Sequence, residues 1–264
     1  MDELTEVSTA EENNRQRSMQ VLGDTVSLVQ DLCDAHSKLV DLVEAAPASD
    51  IKVGTIAGSL FMGVRYELVT GALSLLRGHI TDSMQILRRA VEMAAFAYRI
   101  HADPTLADLW IKGENDEQSF KRYRKKFSAK KLFPKEHPIL SALYERYSHC
   151  SKAVHSSLAS LARRSSIEET DDKVLVNHDY FELKEEDKSE PARAFLFMID
   201  AHYGILRLFT EVFEKQLAPS RNQWDIRMTS VAAKLEGNKL RWKPIILADR
   251  GTGSEAPTGG DGSA

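Results

Sequence analysis

The feature that most constrains this chain is the helical spacing of its apolar residues, which leaves almost no stretch with the alternation of a half-buried strand. The strongest pattern runs from Pro191 to Leu217, where Phe195, Met198, Ile199, His202, Ile205, Leu206, Phe209, Val212 and Phe213 share one face. From Met19 to Val43 a second stripe carries Leu22, Val26, Val29, Leu32, Leu39 and Val43, and Pro47 then reads as a break. The segment Ile56 to Leu76 holds only two charged side chains, Arg65 and Glu67, so it is apolar almost all round and is expected at the centre of a bundle. Gly54, Gly58, Gly63 and Gly71 weaken it by about 1 kcal/mol each where they fall inside the helix. Close approach of neighbouring backbones is the expected compensation. Gly78 closes this helix and Thr81 or Asp82 is placed to cap the next, whose inward stripe is Met84, Leu87, Val91, Ala94 and Tyr98.

Further helices are expected through Leu106 and Trp110, from Glu114 to Phe127, from Ile139 to about Leu161, and from Arg221 to about Leu235. The helical period is lost between Ser165 and Pro191. Val174-Leu175-Val176 and Ile245-Ile246-Leu247 are the two β-like runs and are expected to pair as a minor ribbon, with Pro244 at an edge or a strand start. The fold class is therefore all-α, a helical bundle of six to seven helices with room for a two-stranded ribbon. Residues 1–18 read as a charged N-terminal segment, 19–248 as a single bundle domain, and 249–264 as a disordered Gly-rich tail.

With 264 residues the chain is long enough to bury a core without disulfides or metal. Its 35 Lys and Arg against 39 Asp and Glu give a charge of −4, which excludes a wholly basic nucleic-acid binder and confines any such surface to a local patch. Cys33 and Cys150 make neither a disulfide framework nor a Cys-rich zinc site. The start Met1-Asp2-Glu3-Leu4 lacks the basic and apolar regions of a secretion signal, and no apolar run reaches the roughly 18–20 residues of a membrane span. A cytoplasmic setting without membrane contact is the expectation. No phosphate-binding loop is present, since Gly63 is followed by Val64 and Arg65. Dinucleotide, zincin, nucleophile-elbow and di-iron signatures are absent as well, so no cofactor and no metal is expected. The nuclease-like fragment Asp179-Tyr-Phe-Glu182-Leu-Lys184 would need a mixed sheet to aim its groups and is set aside.

Three groups of residues remain for function. The first is a basic tract, Lys121, Arg122, Arg124, Lys125, Lys126, Lys130 and Lys131, interleaved with Tyr123 and Phe127. It reads as a phosphate-contacting nucleic-acid patch or as a solvated helix face whose aromatics dock on the bundle. The second is a polar stripe on the long middle helix, Tyr144, Ser148, Ser151 and His155, in which His155 is a general-base candidate or a structural imidazole. The third centres on His202, whose position on an apolar face predicts burial and a need for partners. Glu67, Arg88, Glu92, His155 and His202 form the candidate buried polar cluster, with His155, Arg88 and Glu92 as the catalytic candidates. A paired-charge network inside the bundle is the competing reading. Glu67, Glu92, His155 and His202 also form the one set from which a metal site can be drawn.

Leu87-Arg88-Arg89-Ala90-Val91-Glu92, followed by Tyr98, Asp103-Pro104 and Trp110, and later by Tyr144, Ser148 and His155-Ser156, resembles a family of uncharacterised bacterial helical proteins. The resemblance covers residues 60–160 and implies an all-helical fold. A fainter resemblance is to the HEPN ribonucleases, helical bundles of bacterial toxin and defence systems. Their hallmark is Arg, four to six residues, then His on one helix. None of the eight histidines here has an Arg at that spacing, and Arg146 lies nine positions before His155 and three before His149. The functional expectation is a non-catalytic binding protein whose partner is another protein, a ligand or a second copy of itself. The alternative is a nucleic-acid-binding protein or HEPN-like ribonuclease that uses the basic tract for phosphates and His155 with Arg146 or Arg88 for chemistry.

Overall fold

The computed structural model describes residues 2–44, 50–113, 115–154, 165–170, 173–178, 180–182 and 188–252. Helix α1 (Glu3–Leu22) starts where the Asp2 carboxylate accepts the Thr5 N–H at 2.9 Å. Gly23, at φ 34°, turns the chain into α2 (Asp24–Glu44). Helix α3 (Ile51–Arg77) is capped by Asp50, which accepts the Val53 N–H at 3.1 Å, and it ends on Gly78 in the left-handed region at φ 98°. Helix α4 (Ile80–Ala102) returns along α3. The short α5 (Leu106–Lys112), α6 (Glu117–Lys126) and α7 (Ala129–Leu132) lead to α8 (Pro138–Val154). Strands β1 (Ser165–Thr170) and β2 (Lys173–His178) form an antiparallel ribbon with Ser165 opposite His178 and Thr170 opposite Lys173. Helix α9 (Ser189–Val212), the single turn α10 (Glu214–Leu217) and α11 (Arg221–Thr252) complete the chain. The fold is an all-α bundle with one minor ribbon. Among the described residues no helix is long and apolar enough to cross a membrane.

The central helix is α9. Every residue of the face expected from its spacing, Phe195 to Phe213, is buried, and α9 packs against α2, α3, α4, α8 and α11. Helix α3, expected at the centre, lies instead in the outer layer. It packs on α4, α1, α9 and α2 but leaves one side uncovered. Its glycines divide along the same line. A Cβ at Gly63 would stand 2.9 Å from Met93 Sδ of α4, and one at Gly71 3.3 Å from Ile86 Cγ2, so both permit close approach. A Cβ at Gly58 would meet nothing within 4 Å.

Several boundaries differ from expectation for identifiable reasons. The charged N-terminal segment is helical, and Met19 belongs to it, because the break falls at Gly23. Helix α1 docks through Glu11, which meets the His79 ring nitrogen at 2.9 Å, and through Asn14, which donates to the Arg77 carbonyl at 3.2 Å. The last helix runs well past Leu235, and two indoles tie it down, one near its start and one beyond Leu235. Trp224 donates to Thr210 Oγ1 at 2.8 Å on α9, and Trp242 to Thr25 Oγ1 at 2.7 Å on α2. The Thr25 hydroxyl in turn donates to Asn238 at 2.8 Å.

Ile245-Ile246-Leu247 is thus helical rather than a strand, and Pro244 sits inside α11 at the loss of one backbone hydrogen bond. Val174-Leu175-Val176 does form a strand, but it pairs with β1 across a two-residue connection, a far shorter closure than one to residue 245. Helix α4 is capped neither by Thr81 nor by Asp82. Glu182, discarded with its nuclease-like fragment, reaches in from the segment after the ribbon. Its buried carboxylate accepts from the Thr81 N–H and hydroxyl, each at 3.0 Å. The expected break at Pro47, the residues from His155 to Leu161 and the tail from residue 253 onward lie outside the described residues, while 249–252 continue α11.

Candidate functional site

Among the described residues, Glu67, Arg88, Glu92 and His202 do not converge on one site. Arg88 and Arg89 are consecutive on α4 and point about 100° apart, toward different neighbours. Arg89, itself exposed, reaches across to α3, donating to buried Glu67 at 3.0 Å. Arg88 turns to α8, donating to the Tyr147 hydroxyl at 3.1 Å with its guanidinium 5.0 Å from that ring, and meets Glu92 at 3.7 Å. His202 stands apart from both in the core of α9. His155 lies outside the described residues. The candidate cluster is therefore divided among separate pairings, and among the described residues no three His, Cys, Asp or Glu side chains gather as a metal site.

The stripe on α8 is similarly engaged. Tyr144 packs on Phe133 and Tyr147, with centroids at 5.5 and 6.3 Å, and Ser151 donates to the Tyr147 carbonyl of its own helix at 2.9 Å. Ser148 is half-buried beside them. Arg146 is held by Asp200 at 2.8 Å beside a cavity of about 410 Å³ that also meets His149, Arg193 and Phe197.

In the basic tract, Lys121, Arg122, Arg124, Lys125, Lys126, Lys130 and Lys131 are all exposed. Lys121 pairs with Glu117 at 2.7 Å, and Arg124 lies 5.9 Å from the Phe120 ring. The interleaved aromatics face inward. Tyr123 and Phe127 pack on Phe96 of α4, with centroids at 6.2 and 5.3 Å, so they dock the helix and are unavailable to stack on bases.

A different constellation joins α2, α3 and α9. His36 stacks on Phe61 with centroids 4.6 Å apart, and Phe61 meets Phe209 edge-on at 4.7 Å and Phe213 at 6.1 Å. Among the described residues, neither ring nitrogen of His36, nor Nδ1 of His202, has a hydrogen-bond partner. Burial pushes both imidazoles down to about 3, and in His36 the nearby His202 and Arg65 add to it. Both are neutral in the physiological range and serve packing rather than acid–base chemistry. Burial likewise pushes the Cys150 thiol up to about 12.

Above this cluster, Phe61 and Phe213 form the floor of an apolar pocket of about 440 Å³. Leu39, Val40 and Val43 of α2 wall it on one side, and Gly54, Gly58 and Met62 of α3 on the other. The pocket opens onto the uncovered side of α3. There Ile51, Met62, Tyr66, Val69 and Leu73 are 79%, 48%, 67%, 41% and 40% exposed. With Thr55 and Gly58 they fall at successive steps of four, three, four, four, three and four residues, a nearly straight line along the helix.

Sequence reading missed this face because the same residues satisfied the periodicity of a fully buried helix. The sequence holds no signal that separates the two, because which faces of α3 its neighbours cover is set by tertiary packing. In comparisons with family profiles, curated proteins and solved structures, nothing matches the chain.

The buried imidazoles generate a pH prediction. Between their unfolded value near 6.5 and their folded value of about 3, the unfolded chain binds protons that the folded chain excludes, so stability falls as pH falls through this window. Each imidazole contributes a loss of about 2 kcal/mol between pH 7 and pH 5. Urea unfolding at the two pH values should show His36→Leu/His202→Leu at least as stable as the parent at pH 7 and clearly less sensitive to acid. An unchanged pH dependence would show that these imidazoles are not what couples folding to protons.

Proposed function

We propose that this chain is a non-catalytic binding protein whose binding surface is the apolar face of α3 with the pocket beside it. The observation that carries this reading is the line from Ile51 to Leu73. Large apolar side chains are left uncovered on a helix whose other sides are packed against α1, α2, α4 and α9. Exposed apolar surface is unfavourable by about 25 cal/mol per Å², and the strip presents on the order of 500 Å², within the range of the largest patches on monomers, which are often functional. The binding reading is also supported by how the polar residues are used, since Arg88, Arg89, Glu67, Glu92 and Arg146 are committed to pairings within the bundle.

Covalent footprinting inside cells tests this without knowledge of the occupant. Met62 and Tyr66 should label at least fivefold less in the cell than in the purified chain at nanomolar concentration. Ile226 and Leu240, exposed on α11, should label equally in both. Equal labelling of Met62 and Tyr66 in both settings would remove the reading.

A second reading, single-stranded nucleic-acid binding, is favoured by one observation. Arg122, Lys125, Lys126, Lys130 and Lys131 are exposed and make no ion pair or side-chain hydrogen bond among the described residues. It uses phosphate contacts alone, because Tyr123 and Phe127 are docked. Fluorescence anisotropy with labelled RNA should then show binding that weakens steeply with salt, with a shallower slope in Lys125→Glu/Lys126→Glu. No binding at low salt would make the tract a solvated face.

A further inference from the structure

We infer that the occupant of the α3 face is a second copy of this chain, docked by a two-fold axis at Met62 with the two α3 helices antiparallel. The inference rests on the reading of α3 as the binding face and names its partner. The spacing of the strip is symmetric about Met62. An antiparallel two-fold there places Ile51 opposite Leu73, Thr55 opposite Val69, Gly58 opposite Tyr66, and Met62 opposite Met62. A self-complementary surface of this kind is what an isologous interface demands.

The order of sizes along the strip selects the antiparallel pairing. Gly58 leaves a hole, since a Cβ there would meet nothing within 4 Å, and Tyr66 is the most prominent knob near the middle of the strip at 67% exposure. Antiparallel pairing seats each Tyr66 at the other copy's Gly58, and sets the small Thr55 against Val69. A parallel pairing would set Tyr66 against Tyr66 and Gly58 against Gly58, bulk on bulk and void on void, which close packing does not tolerate.

The pocket is completed in the same operation. Gly58 lines its α3 wall, so α3 of the second copy passes over the mouth of a cavity that a single chain leaves open.

Charge and area agree. Arg65, on the α2 side of the strip, and Glu44, at the pocket rim, make no ion pair or side-chain hydrogen bond among the described residues. The two-fold carries Arg65 to the level of residue 59 on the facing helix, over the rim that bears Glu44. From Ile51 to Leu73 the strip runs about 33 Å. The strip supplies on the order of 500 Å² per copy and the α2 rim of the pocket adds to it, toward the roughly 800 Å² per partner of a specific interface.

Sedimentation and crosslinking of the full chain test this. The parent should sediment as a dimer of about 59 kDa, twice 29.6 kDa. A Cβ at Gly58 meets nothing within 4 Å and leucine favours the helix over glycine, so Gly58→Leu should keep the parent's helical signal while weakening the dimer at least tenfold. In a Cys33→Ser background, Met62→Cys should crosslink to itself through a short bismaleimide. Ile51→Cys should crosslink to Leu73→Cys in a mixture but not to itself. A monomer at 100 µM, a dimer indifferent to Gly58→Leu, or self-crosslinking of Ile51→Cys would each overturn the inference. A monomer whose Met62 and Tyr66 are nevertheless protected in cells would leave the binding face standing with another occupant. A monomer without that protection would remove both.

Discussion

The packing of Phe61 sets the geometry on which the α3 face depends. Its ring is held between His36 of α2 and the Phe209–Phe213 pair at the end of α9, with centroids at 4.6, 4.7 and 6.1 Å. One aromatic side chain thereby joins three helices and fixes the rotation of α3 about its own axis. Once Phe61 points inward, Val64, Leu68 and Leu75 are carried into the core with it, and the residues on the opposite side have nowhere to go but outward. The pocket floor, the uncovered strip and the accessible hole at Gly58 are consequences of that single orientation. The neutral His36 ring fits this role, because a charged imidazole stacked on Phe61 without a hydrogen-bonded partner would cost far more than a neutral one.

The fold was legible where the burial pattern was unambiguous. On α9 every apolar position predicted to share a face is buried, and Gly78 ends α3 in the left-handed conformation that favours glycine. Legibility failed where one local pattern fits two tertiary outcomes. An all-apolar helix such as α3 satisfies burial by its own chain or by something else, and periodicity does not distinguish them. Ile245-Ile246-Leu247 has β-branched residues after a proline, yet the helix begun at Arg221 and pinned by Trp242 carries through it. Glu182 caps α4 across about a hundred residues of sequence, a partnership without any local signal.

The candidate site shows the same division. Sequence places Arg88, Glu92 and Glu67 on inward-facing stretches, but which arginine of the Arg88-Arg89 pair meets Glu67 depends on where α3 lies around α4. The histidine of the core pair that mattered for packing, His36, sits on the stripe used to read α2, between Leu32 and Leu39, but is passed over by a reading that counts only apolar residues. In the basic tract the aromatics could be assigned only once Phe96 was placed beside them.

In the proposed dimer, α3 meets a second α3 in antiparallel register about Met62. Pulsed dipolar spectroscopy with a nitroxide at Ser59 or at Arg77, both exposed and beside the strip, reads that register directly. The account predicts a distance below about 20 Å between Ser59 labels and about 45 Å between Arg77 labels, which lie fifteen residues from the axis on each copy. Equal distances at the two positions, or no coupling between chains at either, would contradict it.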